Sequence, residues 1–186
     1  MRLLILLCLV ALPASCQIPA TVNLDQQSKF VASVLGQSRF YALDSDGDFR
    51  IFDEVCSGTG LFSILYDSHE EGIADYVSRA TQLDAKFGEA MADYFSQNES
   101  GGQLDSISLI DVAYKPFHEA EDASPRERPS GLLFLSKAGF SKDGTVGVMY
   151  VCQSSFRCAS SGLEAMRLED GLWQPATEWS VGWRTR

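Results

Sequence analysis

Apolar residues run through this chain in three different rhythms. The first is an unbroken run, Leu3 to Leu12, preceded by Met1-Arg2 and followed by Pro13-Ala14-Ser15-Cys16. A charged start, a short apolar centre and a small-residue end predict an export signal over residues 1–16, too short for a membrane span. The second rhythm is helical. Asn23 is placed to cap a helix in which Phe30, Val31, Val34, Leu35 and Tyr41 recur at three- and four-residue intervals, with Gly36 weakening its second half. Phe49-Arg50-Ile51-Phe52 reads as a short extended run, closed by the glycine-rich turn Ser57-Gly58-Thr59-Gly60. Ser68 and Glu71 form a capping-box pattern that opens a helix to about Arg79. Leu83, Phe87, Met91 and Phe95 then stripe another, ending near Gln97.

Asn98 starts an Asn-x-Ser sequon and is expected at the surface. Ile107 to Tyr114 suits either a strand or a short helix. Residues 119–130, rich in acid, arginine and proline, predict a flexible connection between a mainly helical part (17–118) and a second part (131–186). There the third rhythm, of period two, takes over. Leu132-Leu133-Phe134-Leu135 and Thr145 to Val151 read as strands, and Asp143-Gly144 and Asp170-Gly171 as hairpin turns. Met166-Arg167-Leu168 faces Leu172-Trp173 across the second turn, and Trp179, Val181 and Trp183 alternate onto one face. The predicted class is α+β, with N-terminal helices packed on a C-terminal antiparallel meander that has one apolar face.

Two cleavage readings follow from the first rhythm. Ala14 and Cys16 satisfy the small-residue rule for a cut before Gln17, which releases the chain into a secreted or periplasmic space. The alternative makes Cys16 the lipidated first residue of an envelope protein; Pro13, where an aliphatic residue is wanted, favours release. A formal net charge of −10 argues against nucleic-acid partners and anionic membranes. After signal removal, Cys56, Cys152 and Cys158 remain of the five cysteines. The short polar connection between Cys152 and Cys158 makes them the expected disulfide, leaving Cys56 as a packing thiol.

The second part also carries a resemblance. Ser136-Lys137-Ala138-Gly139-Phe140, then Met149-Tyr150-Val151, Leu163 and Asp170-Gly171-Leu172-Trp173 resemble the C-terminal strand pattern of small bacterial exported proteins and lipoproteins of uncharacterised function. Asp93 to Asn98 resembles an aromatic-to-Asn segment earlier in such chains. Gly147 departs from it, standing where those chains carry Ala before the Tyr-Val strand. The resemblance implies a fold and no activity.

One stretch suggests chemistry. Asp44-Ser45-Asp46-Gly47-Asp48-Phe49-Arg50-Ile51-Phe52-Asp53-Glu54-Val55 resembles an EF-hand calcium loop. Asp44, Asp46 and Asp48 stand at its first, third and fifth positions, with the Arg50 carbonyl at the seventh. Phe49 replaces the turn glycine and Val55 the bidentate Glu, for which Glu54 is the only substitute, so any Ca²⁺ binding is expected to be weak, on the order of millimolar. The competing reading is a solvated acidic turn.

No nucleophile elbow, phosphate loop or zinc-protease helix is present. A Cys56 nucleophile served by His69 or His118 is the remaining enzymatic reading, and the expected function is non-enzymatic binding of a protein or glycan partner. Trp179 and Trp183 invite an aromatic platform, with core packing the favoured alternative. Trp173 is expected to pin the second hairpin to the helices.

Overall fold

The computed structural model describes residues 22–37, 46–55, 69–104, 107, 109–117, 132–154 and 160–177. Among these residues are three helices, α1 (Leu24–Leu35), α2 (His69–Leu83) and α3 (Ala85–Gln97), and nine strands. The strands are β1 (Phe49–Phe52), β2 (Glu54–Val55), β3 (Gly102–Gln103), β4 (Tyr114–Phe117), β5 (Leu132–Leu135), β6 (Gly139–Phe140), β7 (Val146–Ser154), β8 (Ser160–Glu169) and β9 (Leu172–Pro175). The class is α+β, helices first and most strands last.

The expected antiparallel meander is present as β5, β7, β8 and β9, with β6 also pairing β7. It is extended by two strands from the first part, β1 parallel to β5 and β4 parallel to β1, which gives a mixed seven-stranded sheet in the order β4-β1-β5-β7-β8-β9. A second, two-stranded sheet pairs β2 with β3. The strand expectation for 107–114 is displaced toward the C-terminus: Ile107 and Val112 are buried in irregular chain, and pairing starts at Tyr114. Both edge strands carry a proline. Carbonyls of Ala113 and Phe117 accept from Phe49 N and Asp53 N, so the period of two turns Pro116 outward, where no N–H is needed. Ala176 N donates to Ala165 O, and the same alternation turns Pro175 outward on β9.

The sheet is covered on both faces, which corrects the expectation of one apolar face. Along β7, Val146, Val148 and Tyr150 join Phe87, Met91 and Tyr94 of α3 and Tyr76 of α2 in one core. The alternate residues Met149 and Val151 join Phe30, Val34 and Leu35 of α1, with Leu133, Leu135 and Ile51, in the other. A strand buried on both sides loses the polar half of its alternation, which is why Val146 to Val151 is almost wholly apolar.

Helices α1 and α3 start as local chemistry dictates; Ser68, the cap expected for α2, lies outside the described residues. Asn23 Oδ1 accepts from Gln26 N at 2.8 Å, capping α1, which ends at Leu35 with Gly36 beyond it rather than reaching Tyr41. The break between α2 and α3 falls at Asp84, whose side chain accepts from Lys86 N. Leu83 therefore ends α2 and stays half exposed instead of opening the α3 stripe. Trp173 is 6% exposed and packs edge-on against Phe30 of α1 with ring centroids 5.0 Å apart, pinning the β8–β9 hairpin to the helix as expected. Phe30 meets Phe140 in the same way at 5.2 Å; such pairs add about 0.5–1.5 kcal/mol beyond area burial. The Asp170-Gly171 turn has positive φ at both residues, 49° and 80°, the conformation a two-residue hairpin of this hand requires.

Helix α3 crosses the sheet directly over Gly139. A Cβ there would run into the backbone of Ala90 and Tyr94, so even alanine forces helix and strand apart. Gly139→Ala is expected to cost about 3 kcal/mol, at the upper end of overpacking changes. Gly101→Ala, whose Cβ would find its nearest neighbour at 3.8 Å, is expected to stay within about 0.5 kcal/mol. Urea unfolding of the two variants measures the difference.

Candidate functional site

The polar side chains of α3 are collected where it meets the segment joining β5 to β7. Glu89, Asp93 and Asn98 fall on one side of the helix and its end. Asp93 Oδ2 accepts from Phe140 N at 2.8 Å, and Glu89 Oε2 from Lys142 N at 3.1 Å. Asn98 Nδ2 donates to the carbonyls of Tyr94 and Lys137 at 2.8 and 2.9 Å, while its Oδ1 accepts from Lys137 N at 2.9 Å. Beside them Ser136 Oγ accepts from Tyr150 N at 2.8 Å, bridging the bulge between β5 and β6. The Phe140 and Lys142 N–H groups are on the side of β6 and its extension turned away from β7, so side chains of a helix here do the work of a neighbouring strand.

Asn98 thus sits far from its expected role as a surface marker: it is 2% exposed, with both parts of its amide engaged. The aromatic-to-Asn segment and the Ser-x-x-Gly-Phe segment, separate in sequence, meet at this junction. The departure at Gly147 also has a local reason, because a Cβ there would strike the Phe30 ring.

The turn that follows ties both helices to the sheet. Asp143 accepts from Ser141 Oγ, Thr145 N and Thr145 Oγ1 at 2.7–3.0 Å, and Lys86 Nζ of α3 lies 2.7 Å from its other oxygen. Burial pushes the Asp143 carboxyl up, but the hydrogen bonds from Lys86, Ser141 and Thr145 outweigh it and hold the group well below the usual carboxylate range. From the other side, Gln26 Nε2 of α1 donates to the Gly144 carbonyl at 2.8 Å. Nearby, the backbone N–H of Lys86 and then the Arg167 guanidinium, 2.9 Å away, lower the Asp84 carboxyl. Arg167 also lies over the Phe87 ring at 4.5 Å.

Between α1 and α3, alongside β6, a cleft of about 740 Å³ opens. Val22, Gln27 and Val31 form one wall; Ala85, Glu89, Ala92 and Asp93 form the other; Lys137, Ala138 and Phe140 lie along the sheet edge. Its volume and mainly apolar lining match those of small-ligand sites.

No family model, curated protein or solved structure matches this chain. The fold and the cleft stand on their own geometry.

The acidic loop is arranged differently from the cleft. Asp46 Oδ2 lies 2.6 Å from Lys115 Nζ of β4, and Asp48 lies 3.9 Å from the same ammonium. Arg50 is inside β1, flanked by β4 and β5, and Glu54 is in β2, paired with Gln103. Four extended residues, about 13 Å of chain, separate Asp48 from Asp53, so Glu54 is not brought to the aspartates. Asp44 lies outside the described residues. Among the described residues no group of three or more His, Cys, Asp or Glu side chains is placed to hold a metal ion.

Cys152 carries a free thiol on the face of β7 turned to α2 and α3, and burial pushes its pKa up. Its expected partner Cys158 lies outside the described residues, as do Cys16, Cys56, His118, Trp179 and Trp183. His69 opens α2. No helix among the described residues is long and apolar enough to cross a membrane.

The junction and its cleft were missed in sequence, though a signal existed. Glu89 and Asp93 recur at i, i+4 on a helix with an otherwise apolar stripe, and Ala138-Gly139 in a strand marks a close backbone approach.

Two measurements follow. Asn98→Ala leaves part-buried backbone groups of Lys137 without their side-chain partner and is expected to cost about 1–3 kcal/mol in urea unfolding. For Asp143, a folded pKa below the unfolded 3.8 means that the unfolded chain binds more protons in that window. The stabilisation is complete above about pH 5 and is lost as pH falls below 3.8 toward the folded value. Asp143→Asn is expected to flatten the acid limb of stability against pH between about 5 and 2, by up to about 1 kcal/mol because the side chain is half exposed.

Proposed function

We propose that this chain is an exported, non-enzymatic binding domain that receives its ligand in the cleft between α1 and α3. Export is supported by the Met1–Cys16 pattern and suits the strongly acidic composition; release before Gln17 is the favoured form, with a lipid-anchored envelope form through Cys16 as the alternative. The observation that carries the binding reading is the character of the cleft walls. They are mainly apolar, and their carboxylates, Glu89 and Asp93, are spent on backbone N–H groups of the sheet edge. A carboxylate held this way positions a strand and is poorly placed to move a proton. The protein or glycan partner expected from Trp179 and Trp183 rests on residues outside the described ones, while Trp173, buried against Phe30, has the packing role expected of it.

The test uses N-phenyl-1-naphthylamine, a neutral apolar fluorophore. Saturable one-to-one enhancement of its emission is expected with the native chain. Ala92→Trp, placed on the exposed rim of the cleft, is expected to weaken it about tenfold or more while the melting temperature holds. Emission that rises without saturating, or that is indifferent to Ala92→Trp, would sink the reading.

A further inference from the structure

The polar groups that line the cleft differ in whether the protein itself engages them. The cleft's hydroxyls and carboxylates are committed to the protein itself. Asp93 and Glu89 take the Phe140 and Lys142 amides, and Lys142 Nζ lies 3.5 Å from Glu89 Oε1. Ser141 Oγ donates to Asp143 at 2.7 Å, and Thr81 Oγ1 to the Val77 carbonyl at 2.7 Å. Gln97 Nε2 donates to Asp93 Oδ1 at 3.4 Å, and two further polar side chains lining the same space are left over. The Lys137 ammonium and the Gln27 side-chain amide make no ion pair or hydrogen bond among the described residues, and both residues are half-buried. Lys137 is fixed at its backbone, because Asn98 holds both its N–H and its carbonyl. The base of this side chain is therefore fixed at the cleft, and its ammonium, on a flexible four-carbon stem, has no counter-charge among the described residues. A half-buried cation without a partner gains most from an anion that brings its own charge into the site.

We propose that the cleft binds an amphiphile with a single anionic head, of the medium-chain carboxylate class. The carboxylate meets Lys137 and the Gln27 amide, and the aliphatic chain lies along Val31, Ala138 and Phe140. An amphiphile with a cationic head finds no equivalent site, since the acids of the cleft already hold amide hydrogens and Lys142. The proposal rests on the cleft being the ligand site, and its test separates the two ideas.

Isothermal titration of the full chain with decanoate, 1-decanol and decylammonium, each below its micellar concentration, compares one tail with three heads. Decanoate is expected to bind about tenfold tighter than decanol, with decylammonium weakest. Lys137→Met is expected to bring decanoate binding down to about that of decanol while the thermal melt holds. Equal binding of decanoate and decanol, or tightest binding by decylammonium, would overturn the charge selectivity and leave the cleft as an apolar site. Saturable binding by none of the three overturns both the selectivity and the cleft reading. A decanoate preference that survives in Lys137→Met would show that the head group lies elsewhere.

Discussion

The contact of α3 with the backbone of residues 136–142 is the constraint on which the rest of the molecule depends. Gly139 lets the helix come close enough for its side chains to act as hydrogen-bonding partners of a strand, and Glu89, Asp93 and Asn98 then satisfy N–H groups that would otherwise line an open edge. A buried backbone donor left unpaired costs about 1–3 kcal/mol, so these three residues and the glycine form one cooperative unit. Moving the helix outward by the width of a methyl group would loosen all of the bonds together.

From that contact the two helical layers are brought to a common point. The Ser141–Thr145 turn is held by Lys86 from α3 and by Gln26 from α1, which lie on opposite faces of the sheet. The walls of the cleft are consequently fastened at one end, while the Phe30–Trp173–Phe140 cluster fixes α1 to the β8–β9 hairpin. Bracing of this kind lowers the ordering cost of the binding proposed for the cleft.

Much of this fold was legible in the residues. The Asn23 cap, the Phe87-Met91-Phe95 stripe and the Asp170-Gly171 turn act through near neighbours, and the structure reproduces them. What escaped was decided at long range. Asp84 is the exception, a local cap acting on Lys86 N two residues ahead that reads in sequence as one more acid in a helical run. Asn98 sits in a sequon, which suggests surface; its burial depends on Lys137, far along the chain. The parallel pairing of β1 with β5 joins segments on either side of a long connection, and no local pattern reports it. The cleft is the hardest case, because it is a space between elements rather than a property of any residue, and only the polar stripe on α3 and the small pair Ala138-Gly139 hint at it. Lys115 likewise comes from another strand to the acidic loop, and the loop's own sequence carries no trace of it.

The outward-turned prolines at the ends of the main sheet bear on how this protein meets other chains. Pro116 on β4 and Pro175 on β9 each interrupt the row of donors that an incoming strand would need. Lateral growth of the sheet, whether by a second copy or by an extended peptide, is disfavoured at both margins. Among the described residues, the two ends of the main sheet therefore offer no uninterrupted row of donors along which identical molecules could polymerise.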